Sequence, residues 1–341
     1  MRIIVTGGAG FIGSNLILYL HETYPEIEIY NIDKLTYASH TGFLKPLKSS
    51  KRYHFSKVDL EDRKAVTDVV KKWEPEGVYH LAAESHVDNS IKGPEPFVLS
   101  NVVGTFNILE ECRQLWSGDE KKWSDNRFLH VSTDEVYGTL GRVGYFTEQT
   151  PYAPNSPYSA TKAGSDFLVR SYYHTYGMNV VITNCSNNFG PHQHDEKLIP
   201  TVIRKAVSHQ PIPVYGKGEN VRDWLYVKDH CKALATAYND GRAGEQYNIG
   251  GDNEWSNIDL VRMICDVLNE ERGEGPDGDY KNLISFVTDR PGHDFRYAID
   301  ASKIKQELGW HPSKDFEKLL LDTIRWYVKK YEGAGRRAHR A

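Results

Sequence analysis

Short apolar runs alternate with helically spaced apolar residues through the first half of the chain. Residues 3–5, 27–32, 53–58, 78–82 and 128–132 form apolar runs of strand length. The stretches that follow them, as at 15–22, 63–73 and 96–115, repeat apolar side chains at helical spacing. This alternation predicts a parallel sheet with helices on both faces, and double-sided burial explains why the runs are nearly continuous. A helix over 158–176 is bracketed by Ser156 as its N-cap, Pro157 in the first helical position and Gly177 as its stop. Residues 179–182 read as the next strand. The expected fold class is α/β, a Rossmann-type doubly wound parallel sheet.

The second half is less regular. Segments 190–196 and 211–220 are rich in turn residues, 197–209 and 258–269 read as helices, and 271–279 is a Gly/Pro/acidic loop. Residues 315–329 read as a final amphipathic helix. This half predicts a smaller C-terminal α/β substrate-binding lobe. The expected division is 1–178 for the sheet domain and 179–341 mainly for the lobe, interleaved so that strands and helices return to the sheet. A chain of 341 residues exceeds one average domain, which agrees with that division.

Composition narrows the function classes. Forty-two basic against 46 acidic residues give a net charge of -4, with no nucleic-acid footprint. The basic run Arg336, Arg337 and Arg340 reads as a solvated tail. Cys112, Cys185, Cys231 and Cys265 are scattered and form no Cys-x-x-Cys pair, so no metal site and no disulfide framework are expected. No apolar run is long enough to span a bilayer, and the chain opens directly on a strand. The expectation is a soluble, cytoplasmic protein with no membrane partner.

Chemistry enters at the ends of the predicted strands. Gly7, Gly8, Gly10 and Gly13 satisfy both G-x-G-x-x-G and G-x-x-G-x-x-G between the first strand and the first helix. There a tight turn brings backbone N–H groups of the Gly10-Phe11-Ile12-Gly13 segment and a helix N-terminus to a pyrophosphate. Asp33 closes the second strand, 20 residues after Gly13, where an acid meets the adenosine ribose hydroxyls. A carboxylate there repels a 2′-phosphate, so NAD is expected rather than NADP. Lys34 follows it, and Asp59 and Leu60 after the third strand stand close to the adenine. A plain glycine turn with a capping Asp is the alternative for these residues taken singly.

Tyr158 and Lys162 stand at i and i+4, on one helical face. An ammonium beside a phenol favours the phenolate, which can take a proton from a sugar hydroxyl. Thr133-Asp134-Glu135 lies at the carboxyl end of a predicted strand, the edge where open parallel sheets bind ligands. Two crowded carboxyls separate in pKa and so divide into acid and base; a solvated acidic pair is the other reading. Ala82 and Ala83 end another strand and allow close cofactor packing. Glu84, Ser85, His86 and Asp88 follow, with His86 open between a loop role and substrate contact.

Together these segments resemble the extended short-chain dehydrogenase/reductase family, and within it the nucleotide-sugar 4,6-dehydratases, over nearly the whole chain. Thr133-Asp134-Glu135 combined with Tyr158 and Lys162 is the most specific part. The resemblance implies that Asn187 and Asn188, in Asn184–Pro191, face the sugar diphosphate and the cofactor. Lys197 and Leu198 begin the helix that covers the nucleotide. Tyr215 implies a base platform and Arg222 a diphosphate contact, while Asn257, Arg290 and His293 complete the pocket. Two positions depart from the pattern: Asn89 stands where Arg is usual, and Trp255 where Lys is usual.

The resemblance implies a tightly bound NAD, recycled each turnover, and dehydration of a nucleoside-diphosphate hexose. Thymidine-diphosphate glucose is expected and the uridine-diphosphate sugar is its alternative. Tyr158 with Lys162 would take the 4-hydroxyl proton, Glu135 the C5 proton, and Asp134 would protonate the departing 6-hydroxyl. Epimerases and decarboxylases of the same fold are the nearest rivals, against which the Asp-Glu pair argues. A non-catalytic NAD or nucleotide sensor is the remote one. A homodimer through a four-helix interface is also implied, formed by helices 96–115 and 158–176, whose Phe97, Phe106, Phe167 and Tyr172 either serve it or face the sheet.

Overall fold

The computed structural model describes residues 1–276, 278–289 and 291–338, with side chains to residue 333. Arg290, Arg340 and the side chains of Arg336 and Arg337 therefore lie outside the described residues.

Six strands form in the first half and at its boundary: β1 Arg2–Thr6, β2 Glu28–Asp33, β3 Tyr53–Lys57, β4 Gly77–His80, β5 Arg127–Thr133 and β6 Val180–Cys185. The remaining strands are β7 Asn187–Phe189, β8 Ile212–Tyr215, β9 Val221–Tyr226, β10 Gln246–Ile249, β11 Glu254–Ser256 and β12 Ile284–Val287. The large sheet is parallel with strand order β10-β6-β5-β4-β1-β2-β3. Its order reverses between β1 and β4, the switch point beside which open α/β sheets bind ligands.

Alternate residues of one strand feed opposite cores. Ile3 and Val5 of β1 pack under the helices Phe11–Thr23 and Val227–Asp240. Ile4 between them packs under Arg63–Trp73, Gly104–Trp116 and Pro157–Tyr176. The side-chain period of two makes every strand position a core position, which is the physical content of the apolar runs.

A smaller lobe gathers the short sheets β11-β9-β7 and β12-β8. Its core is Phe189, Val202, Trp224, Ile264 and Leu320 among others, supplied by the helices Leu198–Val207, Asn257–Arg272 and Phe316–Ala338. The chain crosses back after β9, so β10 completes the large sheet beside β6 with Tyr247 opposite Thr183.

Several expectations shift. The expected helix 96–115 is broken into Glu95–Phe97, a wider turn at Val98–Val103 and Gly104–Trp116. The expected strand 78–82 stops at His80, because the next two N–H groups turn to the Thr6 hydroxyl: Leu81 N at 3.1 Å and Ala82 N at 3.0 Å. The turn-rich segment 211–220 contains β8, and the final helix runs on well past 329.

The helix that carries Tyr158 and Lys162 starts as its residues predict. Ser156 Oγ accepts from Ser159 N at 3.1 Å, and Ser159 Oγ returns the bond to the Ser156 N–H at 3.1 Å. This box fixes the turn from which Tyr158 projects. Ser156→Ala is expected to cost about 1 kcal/mol in urea unfolding.

Candidate active site

The parallel strands β1, β2, β4, β5 and β6 end at one edge of the large sheet, and the segments leaving them line a cleft of about 300 Å³. One wall is the glycine loop. Gly7 has φ 68°, in the left-handed region, and a Cβ on it would lie 2.8 Å from the Ala82 Cα. A Cβ on Gly13 would lie 2.3 Å from the Gly7 carbonyl oxygen. Any side chain at either position would push the loop away from β4 or from the helix. Gly10 precedes Phe11–Thr23 with no side-chain cap, and Gly10, Phe11 and Ile12 line the cleft. The N-terminus thus presents its N–H groups and dipole, a setting for an anion.

Asp33 ends β2 with a heavily bonded carboxylate, accepting from Ala9 N at 3.0 Å, Leu35 N at 2.7 Å and Ser39 Oγ at 2.9 Å. Lys34 Nζ sits 3.1 Å from Glu61 and 3.6 Å from Glu84. Asp59, Leu60, Ala82, Ala83 and Ser85 line the same space. The loop carrying Glu84 is pinned by Asn101, which accepts from Glu84 N at 2.8 Å and donates to its carbonyl at 3.0 Å.

The titratable groups meet at the end of β5. Tyr158 and Lys162 both line the cleft and are buried. Lys162 Nζ donates to the Val131 carbonyl at 2.8 Å. Burial lowers its pKa, and the charge of Asp166 acts against that. Burial, followed by the negative charge of Glu135, pushes the Tyr158 phenol well above its ordinary value. A hydrogen bond with the Thr133 side chain pulls it down. Lys162 Nζ is thus held by a carbonyl, while burial and Glu135 set the upward direction of the phenol.

Asp134 and Glu135 begin a tight turn and occupy different environments. Asp134 is 2% exposed, and its Oδ2 has no hydrogen-bond partner among the described residues. Burial, then the charges of Glu135 and Asp223, raise its pKa well above the usual carboxylate range, with Arg222 opposing. Glu135 is only partly buried. The pair therefore divides into a carboxyl that holds its proton and a neighbour open to the cleft.

The lobe closes the other side. Asn187, Asn188 and Lys197 line the cleft, with Lys197 Nζ reaching the Ser85 carbonyl at 3.2 Å. Leu198 begins the helix behind Lys197. Asn188 Oδ1 is 2.9 Å from His230 Nδ1, and His86 Nε2 is 3.6 Å from Glu196. Further lining residues are Ser100, on the wide helical turn Val98–Val103, and Thr36, Ser39, Gln193, His194 and Glu196, from irregular segments with no motif to reveal them.

His86, Tyr215, Arg222, Asn257 and His293 lie outside this lining. The half-exposed Tyr215 hydroxyl donates to Asp88 at 3.3 Å, and its ring meets His293 edge-on at 6.2 Å. Arg222 is buried over the Tyr297 ring and donates to the carbonyls of Val221 at 2.8 Å, Asp294 at 2.9 Å and Phe295 at 3.3 Å. Asn257 N donates to the Asn220 carbonyl at 2.9 Å. Of the two departures, Asn89 Nδ2 donates to the Tyr37 hydroxyl at 3.3 Å, and Trp255 stacks on Phe316 at 5.9 Å.

The chain matches a family model described as GDP-mannose 4,6 dehydratase over residues 4–323. It is 52% identical to a dTDP-glucose 4,6-dehydratase of Xanthomonas campestris, covering 95% of this chain and 92% of that one. It is 48% identical to the Escherichia coli enzyme of the same name over 97% and 95% of the two chains. Among solved structures, a dTDP-glucose 4,6-dehydratase of Streptomyces venezuelae with NAD and TYD bound superposes with TM-score 0.88. The two are 41% identical over 96% of this chain and 97% of that one. The Bacillus anthracis dTDP-glucose 4,6-dehydratase in complex with NAD has TM-score 0.85 and 43% identity, over 97% and 98%. A UDP-glucose 4-epimerase of Thermus thermophilus shares the fold at TM-score 0.82 but only 26% identity, over 96% and 99%.

The environment of Asp134 has a stability consequence with a definite sign. A carboxyl whose folded pKa is raised contributes stability that is full below its unfolded value and is lost as pH rises through the folded value. Asp134→Asn removes that loss. Unfolding midpoints in urea at pH 5 and pH 8 are expected to show the variant gaining on the parent as pH rises; a constant difference contradicts the burial argument.

Proposed function

The chain belongs to the dTDP-glucose 4,6-dehydratases of the extended short-chain dehydrogenase/reductase family, and we infer from this that it converts dTDP-glucose to dTDP-4-keto-6-deoxyglucose with NAD. The observation that carries the reading is the split acid pair, Asp134 buried and proton-holding beside a more open Glu135, on the strand edge that also holds Tyr158 and Lys162.

The residues fit NAD. The Gly7–Gly13 cradle has no room for a Cβ at either end and opens a helix N-terminus to a pyrophosphate, and Ala82 and Ala83 keep the floor flat. Asp33 stands for the adenosine ribose, with Asp59 and Leu60 beside the adenine. When bound, NAD supplies the hydride acceptor at C4 and the donor at C6, so no net oxidation occurs.

The chain's own groups move the protons. Tyr158 takes the proton of the 4-hydroxyl, with the Thr133 hydrogen bond favouring its phenolate and Lys162 as the cation one helical turn away. The new ketone acidifies C5, and Glu135 removes that proton, to return it to C5 when hydride reaches C6. Asp134, kept neutral by burial, donates to the departing 6-hydroxyl and water leaves. Ser85, Asn187 and Lys197, which line the cleft, face the sugar diphosphate with His86 beside Glu196 at its rim, and Tyr215 with His293, outside the lining, forms the platform for the base. Arg222, held by three carbonyls, braces the loop at 294–295 beneath them.

A homodimer belongs to the same proposal. Phe167 is 57% exposed on the Pro157–Tyr176 helix, and Val98, Leu99 and Tyr176 are exposed with it. Such a patch fits a two-fold helical interface. Phe97 and Tyr172 follow the other alternative and are buried inside the chain. No helix of the described residues is long and apolar enough to cross a membrane, and the four cysteines are unpaired and buried. A cytoplasmic location is proposed on that chemistry.

Proton NMR of purified protein with dTDP-glucose, and in parallel with UDP-glucose, tests the reaction. A 6-methyl signal from dTDP-glucose is expected; a methyl only from UDP-glucose changes the substrate, and none from either removes the dehydratase reading. Glu135→Gln is expected to abolish the methyl product while C4 oxidation persists in part, and Asp134→Asn to slow loss of water. Each substitution removes a general acid or base, worth about 10²–10⁴-fold. For the interface, Phe167→Glu is expected to shift sedimentation from dimer to monomer.

A further inference from the structure

Four side chains that stand outside the proton transfers above converge on one carboxylate behind the catalytic helix. Asp166, 2% exposed, lies one turn after Lys162 on the same helix. Its Oδ1 is 3.1 Å from His130 Nε2. Its Oδ2 accepts from Ser132 Oγ at 2.7 Å, the Tyr152 hydroxyl at 2.8 Å and Asn184 Nδ2 at 3.3 Å. His130 and Ser132 belong to β5, Asn184 to β6 and Tyr152 to the segment before the helix. Asn184 Nδ2 also donates to the Thr133 carbonyl at 3.1 Å. One carboxylate therefore ties the helix bearing Tyr158 and Lys162 to the strand end bearing Thr133, Asp134 and Glu135.

We propose that Asp166 is a positioning residue for the reaction, fixing the helix against the ends of β5 and β6 and serving as the buried countercharge of the Lys162 ammonium. The proposal rests on the dehydratase reading. The groups facing Lys162 are few. The Val131 carbonyl accepts its proton at 2.8 Å, Asp166 and the Cys185 thiol support its charge, and the buried His80 and His130 feel it. His130 is pushed down to about 4 by burial and then by Lys162, so at neutral pH it is an uncharged ring. Its Nδ1 has no partner among the described residues, which leaves Nε2–H as the donor to Asp166. The negative charge available to Lys162 at this depth is thus that of Asp166, and a buried cation stripped of its partner sheds its proton more readily.

Asp166→Asn keeps the shape and removes the charge. The holoenzyme variant is expected to lose about tenfold or more in kcat with KM changed little, a part of the general-base effect it supports. The high-pH limb of its kcat profile should move to lower pH, because Lys162 deprotonates earlier. Single-turnover NADH absorbance should show the slowed step to be C4 oxidation, the reverse of Glu135→Gln. Asp166→Glu should recover part of the rate. Wild-type kcat and pH profile in Asp166→Asn, or lowered stability alone at full kcat, overturns the proposal. If Asp166→Asn does not fold, Tyr152→Phe decides: a several-fold loss in kcat at constant KM is expected, and an unchanged kcat refutes it. Parent protein assayed alongside separates the two failures, since an absent methyl product from the parent defeats the dehydratase reading and a present one leaves Asp166 alone under test.

Discussion

The Thr6 hydroxyl is where the cleft begins. It sits at the end of β1, bonds His80 Nδ1 at 2.8 Å and accepts the N–H groups of Leu81 and Ala82. That arrangement turns the chain out of β4 and draws its backbone against Gly7, to a distance at which a Cβ does not fit. The floor beneath the cofactor is therefore two strand ends stitched side by side across the switch point of the sheet. Phe11–Thr23 on one side and the acid-bearing turn after β5 on the other are placed relative to that stitch. His80 carries the connection further, to Thr105 at 2.8 Å and so to the helix beyond Gly104.

Dryness then does the chemical sorting. The groups at the end of β5 are unremarkable in kind, and water would leave them with ordinary acidities. Sealed between helix and sheet, each is pushed toward its neutral form, Asp134 and Tyr158 upward and Lys162 downward. Opposing influences are few: a hydrogen bond from Thr133 on the phenol, the charge of Asp166 on the ammonium and the charge of Arg222 on the acid. A more open cleft would lose the distinction between Asp134 and Glu135, and with it the division of labour between donor and acceptor.

Legibility in the sequence follows the range of the forces involved. The strands of the first half were readable because burial on both faces writes an apolar run, and the helix Pro157–Tyr176 because its cap, its first-turn proline and its terminal glycine are local. Gly7, Gly10 and Gly13, and likewise Tyr158 with Lys162, stand out in the sequence because a turn or two of chain fixes their spacing, and Asp33 because it closes β2. The strands β7 Asn187–Phe189 and β11 Glu254–Ser256 were not readable, being three residues long with a single aromatic each, and held by pairing with β9. Arg222 shows the same limit in the site. A guanidinium in sequence looks free for a diphosphate, but two of the three carbonyls that hold it lie more than 70 residues away in the chain. Asp166 gave no signal at all, since its four partners come from three separate segments.

The return of β10 to the sheet has a consequence for how the molecule is made. As the chain is synthesised, β5 and β6 can pair as soon as residue 185 is out, but β6 then presents a bare edge with unsatisfied N–H and C=O groups. Its natural cover, Gln246–Ile249, arrives only after the chain has passed through β7, β8 and β9 of the lobe. Sheet closure is thus a late, long-range event, the kind of step that loop-closure entropy slows and during which a nascent chain is open to strand addition by a stranger. The interleaving that builds the cleft between sheet and lobe leaves an obligate interval of vulnerability at birth, when a chaperone would matter more to this protein than to one whose sheet closes in chain order.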